Sequence, residues 1–476
     1  MTYQVPQHID NDKIFIVNRS EIDGRLDPKM ALYKKRVLHT LFSKVKLKNL
    51  LLSKPQYGAN EAGLSRENDT QPRYIRITDI DENGLISTHE LGATVANVEE
   101  KYILNNNDIL IARSGATVGK AYIHQELPYT CLYAGYLIRF LVNPNKLLPG
   151  YLFAYTQLNT YKEWVNAIQR PSAQPNINAE EYQSLEIPLP DLCKQKEIVD
   201  YLSAAYAKKQ EKEQQSEAVL NSIDDYLLGE LGIELPIMES QTLQNRIFIV
   251  SRSVLEDRLD PYYSQEYFRN AFEVLGLCKY PVVNLKEISK LITSGITPKS
   301  GGDAYTEDKS IGIPFVRSGN ISIDGELNYD DLLYLKPEIH ENVMNSSKLK
   351  KDDILIAIVG ATIGQVGIYL SEGEANINQA IALVRLKEGY NVQFVKELIK
   401  SSIGQLSLNR LKRPVARANI NLEEISRIKV VLPPKEKQEE IVEHISEMRA
   451  RAKKLQAEGA EVLQKAKMEV ERMILG

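Results

Sequence analysis

Apolar and polar positions along this chain change period in a fixed order, and the order then starts again. Short apolar or alternating runs come first: RYIRITDIDENGLI (73 to 86), DILIARSG (108 to 115) and YLIRFLV (136 to 142), each punctuated by Gly, Asn or Asp. Runs of this length and punctuation predict strands and hairpins. From Tyr151 to Ala167 the period becomes helical, and LEIPLP then predicts a strand stopped by its prolines. The second half passes through IPFVRSGNISIDG (313 to 325), DILIAIVG (353 to 360), AIALVRL (380 to 386), a helical stretch from Val392 to Leu408, and IKVVLPP.

The residues repeat as well as the pattern. IFIVNRSEIDGRLDPKMALY at 14 to 33 returns as IFIVSRSVLEDRLDPYYSQEY at 247 to 267. QRPSAQPNINAEEYQSLEIPLPDLCKQKEIVDYL at 169 to 202 returns as LKRPVARANINLEEISRIKVVLPPKEKQEEIVEHI at 411 to 445. A repeat spaced by about 240 residues is too long for a solenoid unit and describes a duplicated architecture. In RLDP, Arg25 with Asp27 and Arg258 with Asp260 suit a local ion pair in a proline-fixed turn, a packing role rather than a binding one.

After each proline-ended strand comes a long charged segment with apolar heptads. In the second, Ile441, Ile445, Met448, Ala452, Leu455, Gly459, Val462, Ala466 and Met473 keep a four-three alternation. In the first, Ile198, Leu202 and Ala205, then Val219, Ile223 and Tyr226, keep one phase across a polar middle at Lys209, Lys212 and Ser216. Asp191 to Leu228 spans roughly 57 Å as a helix at 1.5 Å per residue. Helices of this length with narrow seams need a partner. If they pair antiparallel, Lys209 and Lys212 face Ala452 to Gly459, where small residues leave room for the lysine stems. The alternative is that each helix packs on its own globule. The expected fold is thus α+β (mixed α/β), a pseudo-two-fold internal repeat of two similar globules separated by two long antiparallel helices in a coiled coil. The expected segments are a globule at 1–190, a helix at 191–230, a linker at 231–246, a second globule at 247–432 and a second helix at 433–476.

The duplication decides one question of chemistry. GATVGK (115 to 120) approaches a phosphate-binding loop but is one residue short, and Ala121 stands where the metal-binding hydroxyl belongs. The second copy keeps Gly360, Ala361, Thr362 and Gly364 but has Gln365 in place of Lys120, so the shared feature is a turn. Composition narrows the rest. The chain's 476 residues carry a formal charge of −4 and three separated cysteines, Cys131, Cys193 and Cys278. Those cysteines form no disulfide framework or metal knuckle and suit a reducing compartment. The six histidines form no metal motif. With no apolar run of membrane length and no leader pattern, the expected location is the cytoplasm.

A globally acidic chain leaves nucleic-acid binding to local patches. SLNRLKRPVARANIN (407 to 421) carries Arg410, Lys412, Arg413 and Arg417 with no acid, and includes Asn419. Its counterpart VNAIQRPSAQPNIN carries Arg170, Gln174 and Asn176. Arg, Asn and Gln read base edges, whereas Lys mainly meets phosphate. The asparagines of N-I-N have a second reading, as caps of the turns beginning at Ala179 and Leu422. Arg76 and Arg317, matched between copies, either face DNA or pair with an acid, and Lys120 and Gln365 complete the candidate DNA set.

RLDP in each half, D-I-L-I-A-x-x-G-A-T-[VI]-G in the middle, and prolines followed by Gln195, Ile198 and Val199 or by Gln438, Ile441 and Val442 resemble the specificity (S) subunit of type I restriction-modification systems. The resemblance spans nearly the whole chain. It implies a non-catalytic subunit in which each globule reads one half of a split, asymmetric double-stranded DNA site. The helices would fix the spacer and dock two methyltransferase (M) subunits, which restriction (R) subunits join. It further implies that this chain holds no cofactor, S-adenosylmethionine, ATP and Mg being used by the partners. Gln195, Ile198, Leu202, Gln438, Ile441 and Ile445 are the expected partner-binding residues. The competing reading is a non-catalytic interaction scaffold, or the specificity subunit of a related methylation-based defence system.

Overall fold

A computed structural model describes residues 16–17, 28–36, 40–87, 90–169, 175–237, 249–251, 262–299, 303–411 and 419–476. The RLDP residues Arg25, Asp27, Arg258 and Asp260 lie outside them. The chain divides into two compact units, one within Met1–Gln214 together with Leu455–Gly476, the other Gln215–Lys454. Both division points fall inside the long helices Leu192–Leu231 and Lys435–Leu475.

In the first unit the apolar run DILIA becomes the strand Ile109–Ala112, fully buried along its length. It is flanked antiparallel by Leu137–Phe140 and Ala121–Ile123, and Gln56–Tyr57 closes the four-stranded sheet. A second sheet orders Leu64–Ser65, Ala93–Thr94, Arg73–Ile75 and Cys131–Tyr133, the last pair parallel. Lys44–Lys46 pairs with the proline-ended strand Glu186–Pro188.

The second unit repeats this plan. Asp353–Ala357 sits between Ile381–Leu386 and Val366–Tyr369, with Ser289–Ser294 at the far edge. Leu333–Leu335, Ile313–Val316 and Asn376–Ile377 form the smaller sheet, again with one parallel pair. Val282–Asn284 pairs with Lys429–Val431. The aspartate shared by both copies of D-I-L-I-A is structural: Asp108 lies 3.3 Å from Arg139, and Asp353, with none of its side chain exposed, lies 2.6 Å from Arg385. Each carboxylate also accepts a backbone N–H three residues before it, at Asn105 and Lys350. A carboxylate buried this deeply is tolerable only when so paired.

Each unit's core is completed by a helix from the other repeat. Leu463, Ala466, Val470 and Ile474, from the end of the chain, pack with Ile198, Leu202 and Trp164 in the first unit. Leu227 and Leu231, from the first long helix, pack with Ile441, Ile445 and Phe394 in the second. A carboxylate from each inserted helix also caps a short helix: Glu471 accepts the Thr160 N–H at 2.7 Å, at the start of Asn159–Ile168, and Asp224 accepts the Ser402 N–H at 2.9 Å, at the start of Ser402–Leu411. The hydroxyls of Thr160 and Ser402 donate to the same carboxylates. The two caps are analogous, not position for position: the offset that matches Ile198 with Ile441 and Asn176 with Asn419 sets Asn159 against Ser402 and Lys467 against Asp224.

The helices run antiparallel. In the second unit Lys437 meets Glu230 at 2.5 Å and the His444 and Tyr226 rings lie 4.3 Å apart, so one sequence descends as the other rises. In the first unit a Cβ on Gly459 would sit 3.3 Å from the Lys209 carbonyl oxygen and from Lys212 Cβ, which is the facing expected from the polar middle. Lys212 Nζ leans outward to Glu458 at 2.8 Å. The seam departs from strict heptads after Gly459: Leu463, not Val462, is the buried residue, followed by Ala466, Val470 and Ile474. A straight helix drifts against a seven-residue repeat, and the one-residue shift restores the apolar face. Helix-on-globule and helix-on-helix packing therefore coexist. Among the described residues no helix is long and apolar enough to cross a membrane.

Two outcomes follow from this packing. Glu471→Ala removes the cap of Asn159–Ile168 and is expected to destabilise the first unit by about 1–2 kcal/mol, with faster hydrogen exchange at the Thr160 amide. Asp224→Ala does the same for Ser402 and leaves Thr160 unchanged. The second outcome concerns acid. His124 is 4% exposed with Nδ1 3.0 Å from the Tyr122 hydroxyl, and burial pushes its pKa from 6.5 down to about 4. Between those values the unfolded chain binds the extra proton, so stability is full above ~6.5 and falls as pH drops toward 4, by about 3 kcal/mol in all. Urea midpoints at pH 7 and 4.5 should converge in His124→Gln relative to the parent chain.

Candidate nucleic-acid interface

The glycine-bounded loop after each central strand is the turn of a β-hairpin. Ile111 pairs with Ala121 across it in the first unit, and Ile356 with Val366 in the second. Gly115 and Gly360 hold φ of 77° and 79°, values that favour glycine, and a Cβ on either would meet nothing within 4 Å. Conformation therefore demands glycine here, and the space above it is open to a ligand approaching the backbone.

The chain leaving each basic loop docks on this turn. Asn176 bridges to Ser114, the Gly115 N–H donates to the Pro175 carbonyl at 3.0 Å, and the Ile177 N–H donates to Arg113 at 2.9 Å. Asn419 bridges to Val359, and the Ile420 N–H donates to Ile358 at 3.0 Å. Both units thus bring together the glycine turn, an exposed Asn176 or Asn419, and the end of the basic loop. The last asparagine of each N-I-N, Asn178 or Asn421, caps the next helix in a reciprocal pair with Glu181 or Glu424, which settles its role as structural. Arg170, Gln174, Lys412, Arg413 and Arg417 lie outside the described residues.

The other candidates have internal partners. Lys120 Nζ donates to the Ile80 carbonyl at 2.8 Å, so the hairpin's lysine is a strut. Gln365, its counterpart, keeps Oε1 buried without a hydrogen-bond partner. Arg76 forms a two-toothed pair with Asp79 at 2.8 and 3.1 Å, which raises its already high pKa, and Arg317 reaches Asp331 at 3.1 Å. Both keep a solvent-facing portion, at 43% and 36% side-chain exposure, and both precede a short 3-10 turn. Arg410 lies over the Tyr263 ring at 3.8 Å and near Phe272 at 4.9 Å, in protein-internal contacts.

The residues expected to meet partner subunits are placed in the interior. Ile198, Leu202, Ile441 and Ile445 are at most 2% exposed and belong to the cores of their own units. Gln195 is fully buried: its amide donates to the Pro190 and Lys146 carbonyls, and its oxygen accepts the Leu148 N–H. Gln438 likewise donates to the Pro433 carbonyl at 2.9 Å. Their burial has a simple cause. The apolar seam is consumed by packing, and each glutamine ties the first turn of a long helix to the proline that precedes it.

Arg113, Tyr57 and Tyr136 were not singled out by sequence. The Arg113 guanidinium lies 4.8 Å from the Tyr57 ring, and Tyr136, whose carbonyl accepts the Arg113 N–H, is 64% exposed beside the turn. A cation and an unburied aromatic ring next to open backbone suit stacking on bases as well as phosphate contact. The available signal was the mismatch between copies, since Arg113 falls where the second repeat has Ile358.

Comparison with known proteins gives a consistent picture. A model of the type I restriction modification DNA specificity domain matches residues 62–222 and 279–463. The EcoBI specificity subunit of Escherichia coli is 26% identical over 63% of this chain, and the match spans 59% of that relative's length. The EcoKI specificity subunit of E. coli strain K12 is 22% identical over 79% of this chain and 75% of the relative. A solved structure concerned with assembly and conformational transition of the type I R-M system is 15% identical over 91% of this chain and 96% of that one, with a TM-score of 0.49.

Because Lys120 is held by a carbonyl, Lys120→Gln is expected to leave DNA affinity within about twofold and the salt slope unchanged, whereas a phosphate contact would reduce that slope by nearly one. Fluorescence anisotropy on duplex DNA across a salt series checks this.

Proposed function

The chain belongs to the family of type I restriction-modification DNA specificity domains, and from that premise we propose that it recognises a two-part DNA sequence, one half per repeat. The observation that carries the proposal is that the family match occurs twice, in step with the internal repeat. The shared geometry supports it: in both units the same turn anchors the end of a loop rich in residues that read base edges.

On this reading the chain is a specificity subunit without catalytic chemistry of its own. It works with two methyltransferase subunits and with restriction subunits, which use S-adenosylmethionine, ATP and Mg. The two long helices set the distance between half-sites, since a helix of 40 residues is a ruler of about 60 Å. Partner docking is assigned to their exposed polar faces, because the seam residues are already buried.

The half-sites should differ. The loops diverge, SAQPNIN against VARANIN, while the framework residues match. A methylome of cells expressing the neighbouring methyltransferase, with and without this chain, is expected to show adenine methylation at a split asymmetric motif only when the chain is present. Arg413→Ala should degrade reading of one half of that motif and spare the other. Equal loss at both halves, or no motif with the chain folded and bound to its partner, rejects the modular reading.

A further inference from the structure

A histidine in the second unit is arranged as a ligand without a ligand. His340, in the helix Pro337–Glu341, is 1% exposed, and its Nδ1 lies 2.5 Å from Asn376 Oδ1. Asn376 is itself fully buried, with its amide donating to the Met344 carbonyl at 2.9 Å and the Ser347 hydroxyl at 3.3 Å. Those two acceptors fix which end of the asparagine faces the ring, so Nδ1 carries a proton and, in the neutral ring, Nε2 presents its lone pair. Nε2 is buried and has no hydrogen-bond partner. It faces the carboxylate oxygens of Glu374 at 3.3 Å and Glu341 at 3.7 Å.

A lone pair directed at two carboxylates is repulsive unless a positive charge stands among them. Lys348 satisfies the other oxygen of Glu341, at 2.5 Å, and leaves the inner one free. We propose that His340, Glu341 and Glu374 bind one divalent transition-metal ion. Their donor atoms all lie within 4.8 Å of one another. One imidazole nitrogen with two carboxylates suits zinc and its first-row neighbours better than Mg or Ca, which favour all-oxygen sites. Asn376 supplies the hydrogen bond that orients a ligating histidine. The two carboxylates are 60% and 65% exposed, so water completes the coordination of a three-ligand site.

The site is particular to the second unit. Strand register places Leu132 opposite Tyr74 where the second unit has Asn376 opposite Phe315, so the first unit lacks the orienting amide. The strand Asn376–Ile377 pairs with Ile313–Val316, directly before Arg317. A bound ion therefore clips Pro337–Glu341 to the sheet that carries a candidate DNA-facing arginine, in one half of the protein.

The test uses the full chain, stripped with chelator and titrated with zinc against a chromogenic indicator, with bound metal counted by mass spectrometry. One zinc per chain and a zinc-dependent rise in melting temperature are expected. Glu374→Gln, at an exposed position that leaves folding intact, should weaken binding about tenfold or more and abolish the rise. His340→Gln should remove the site, with circular dichroism reporting its fold. No zinc retained at micromolar concentration overturns the proposal and assigns a proton to the gap. Unchanged stoichiometry and affinity in Glu374→Gln also overturns it, because the ion then sits on other groups such as Cys193.

Discussion

The fold depends on a carboxylate delivered from elsewhere in the chain. The helices Asn159–Ile168 and Ser402–Leu411 both begin with backbone N–H groups that need acceptors, and in each unit the acceptor, Glu471 or Asp224, belongs to the other repeat's long helix. The same inserted helices bury Val470 and Ile474 in one core and Leu227 and Leu231 in the other. Neither repeat, taken as a contiguous stretch of sequence, carries its own cap or its whole core. The duplicated chain is thus held as two units by an exchange of helices, and the polar cap fixes where along each helix the exchange must register.

The middle of the long helices shows what that register requires. Lys209, Lys212 and Ser216 interrupt the apolar seam yet stay in phase with it, since Ser216 is wholly buried and Lys209 and Lys212 lie against Gly459. A side chain at Gly459 would crowd the Lys209 carbonyl and the Lys212 stem, each 3.3 Å from its Cβ, whereas glycine leaves room for Lys212 to reach Glu458. Small residues at this crossing allow the helices to approach closely, and the mismatch of polar against apolar discourages a slip by one heptad.

Much of this was legible in sequence because it is local or periodic. The apolar strands, the hairpin at DILIA, the two long helices and their antiparallel facing follow from period, punctuation and repetition, whereas the order of strands within each sheet does not. The site residues were harder to read because a matched residue announces constraint without saying which kind. Asp108 and Asp353 anchor arginines, Gln195 and Gln438 tie down prolines, and Asn178 and Asn421 cap helices, so each is matched for structural reasons. Seam residues such as Ile198 and Ile441 looked available to a partner only because sequence cannot tell which surface a seam already covers. The caps from Glu471 and Asp224 had no local signal at all, since their acceptors and donors are far apart in the chain.

This division carries a consequence for specificity. If matched positions hold the framework, discrimination must reside where the copies disagree on the same scaffold. Around the glycine turns those positions are Arg113 against Ile358, Lys120 against Gln365 and Tyr136 against Ala380, each pair placed by equivalent backbone hydrogen bonds. Lys120 is spent on a carbonyl, which leaves Arg113 and Tyr136 as the side chains that can give the first unit a chemistry the second lacks. The second unit has its own departure in His340 and Asn376, set in a sheet whose first-unit equivalent is apolar at that register. The proposed reading of two different half-sites asks for this arrangement: a framework constant enough to present both turns alike, and side chains that differ at the points where the copies diverge.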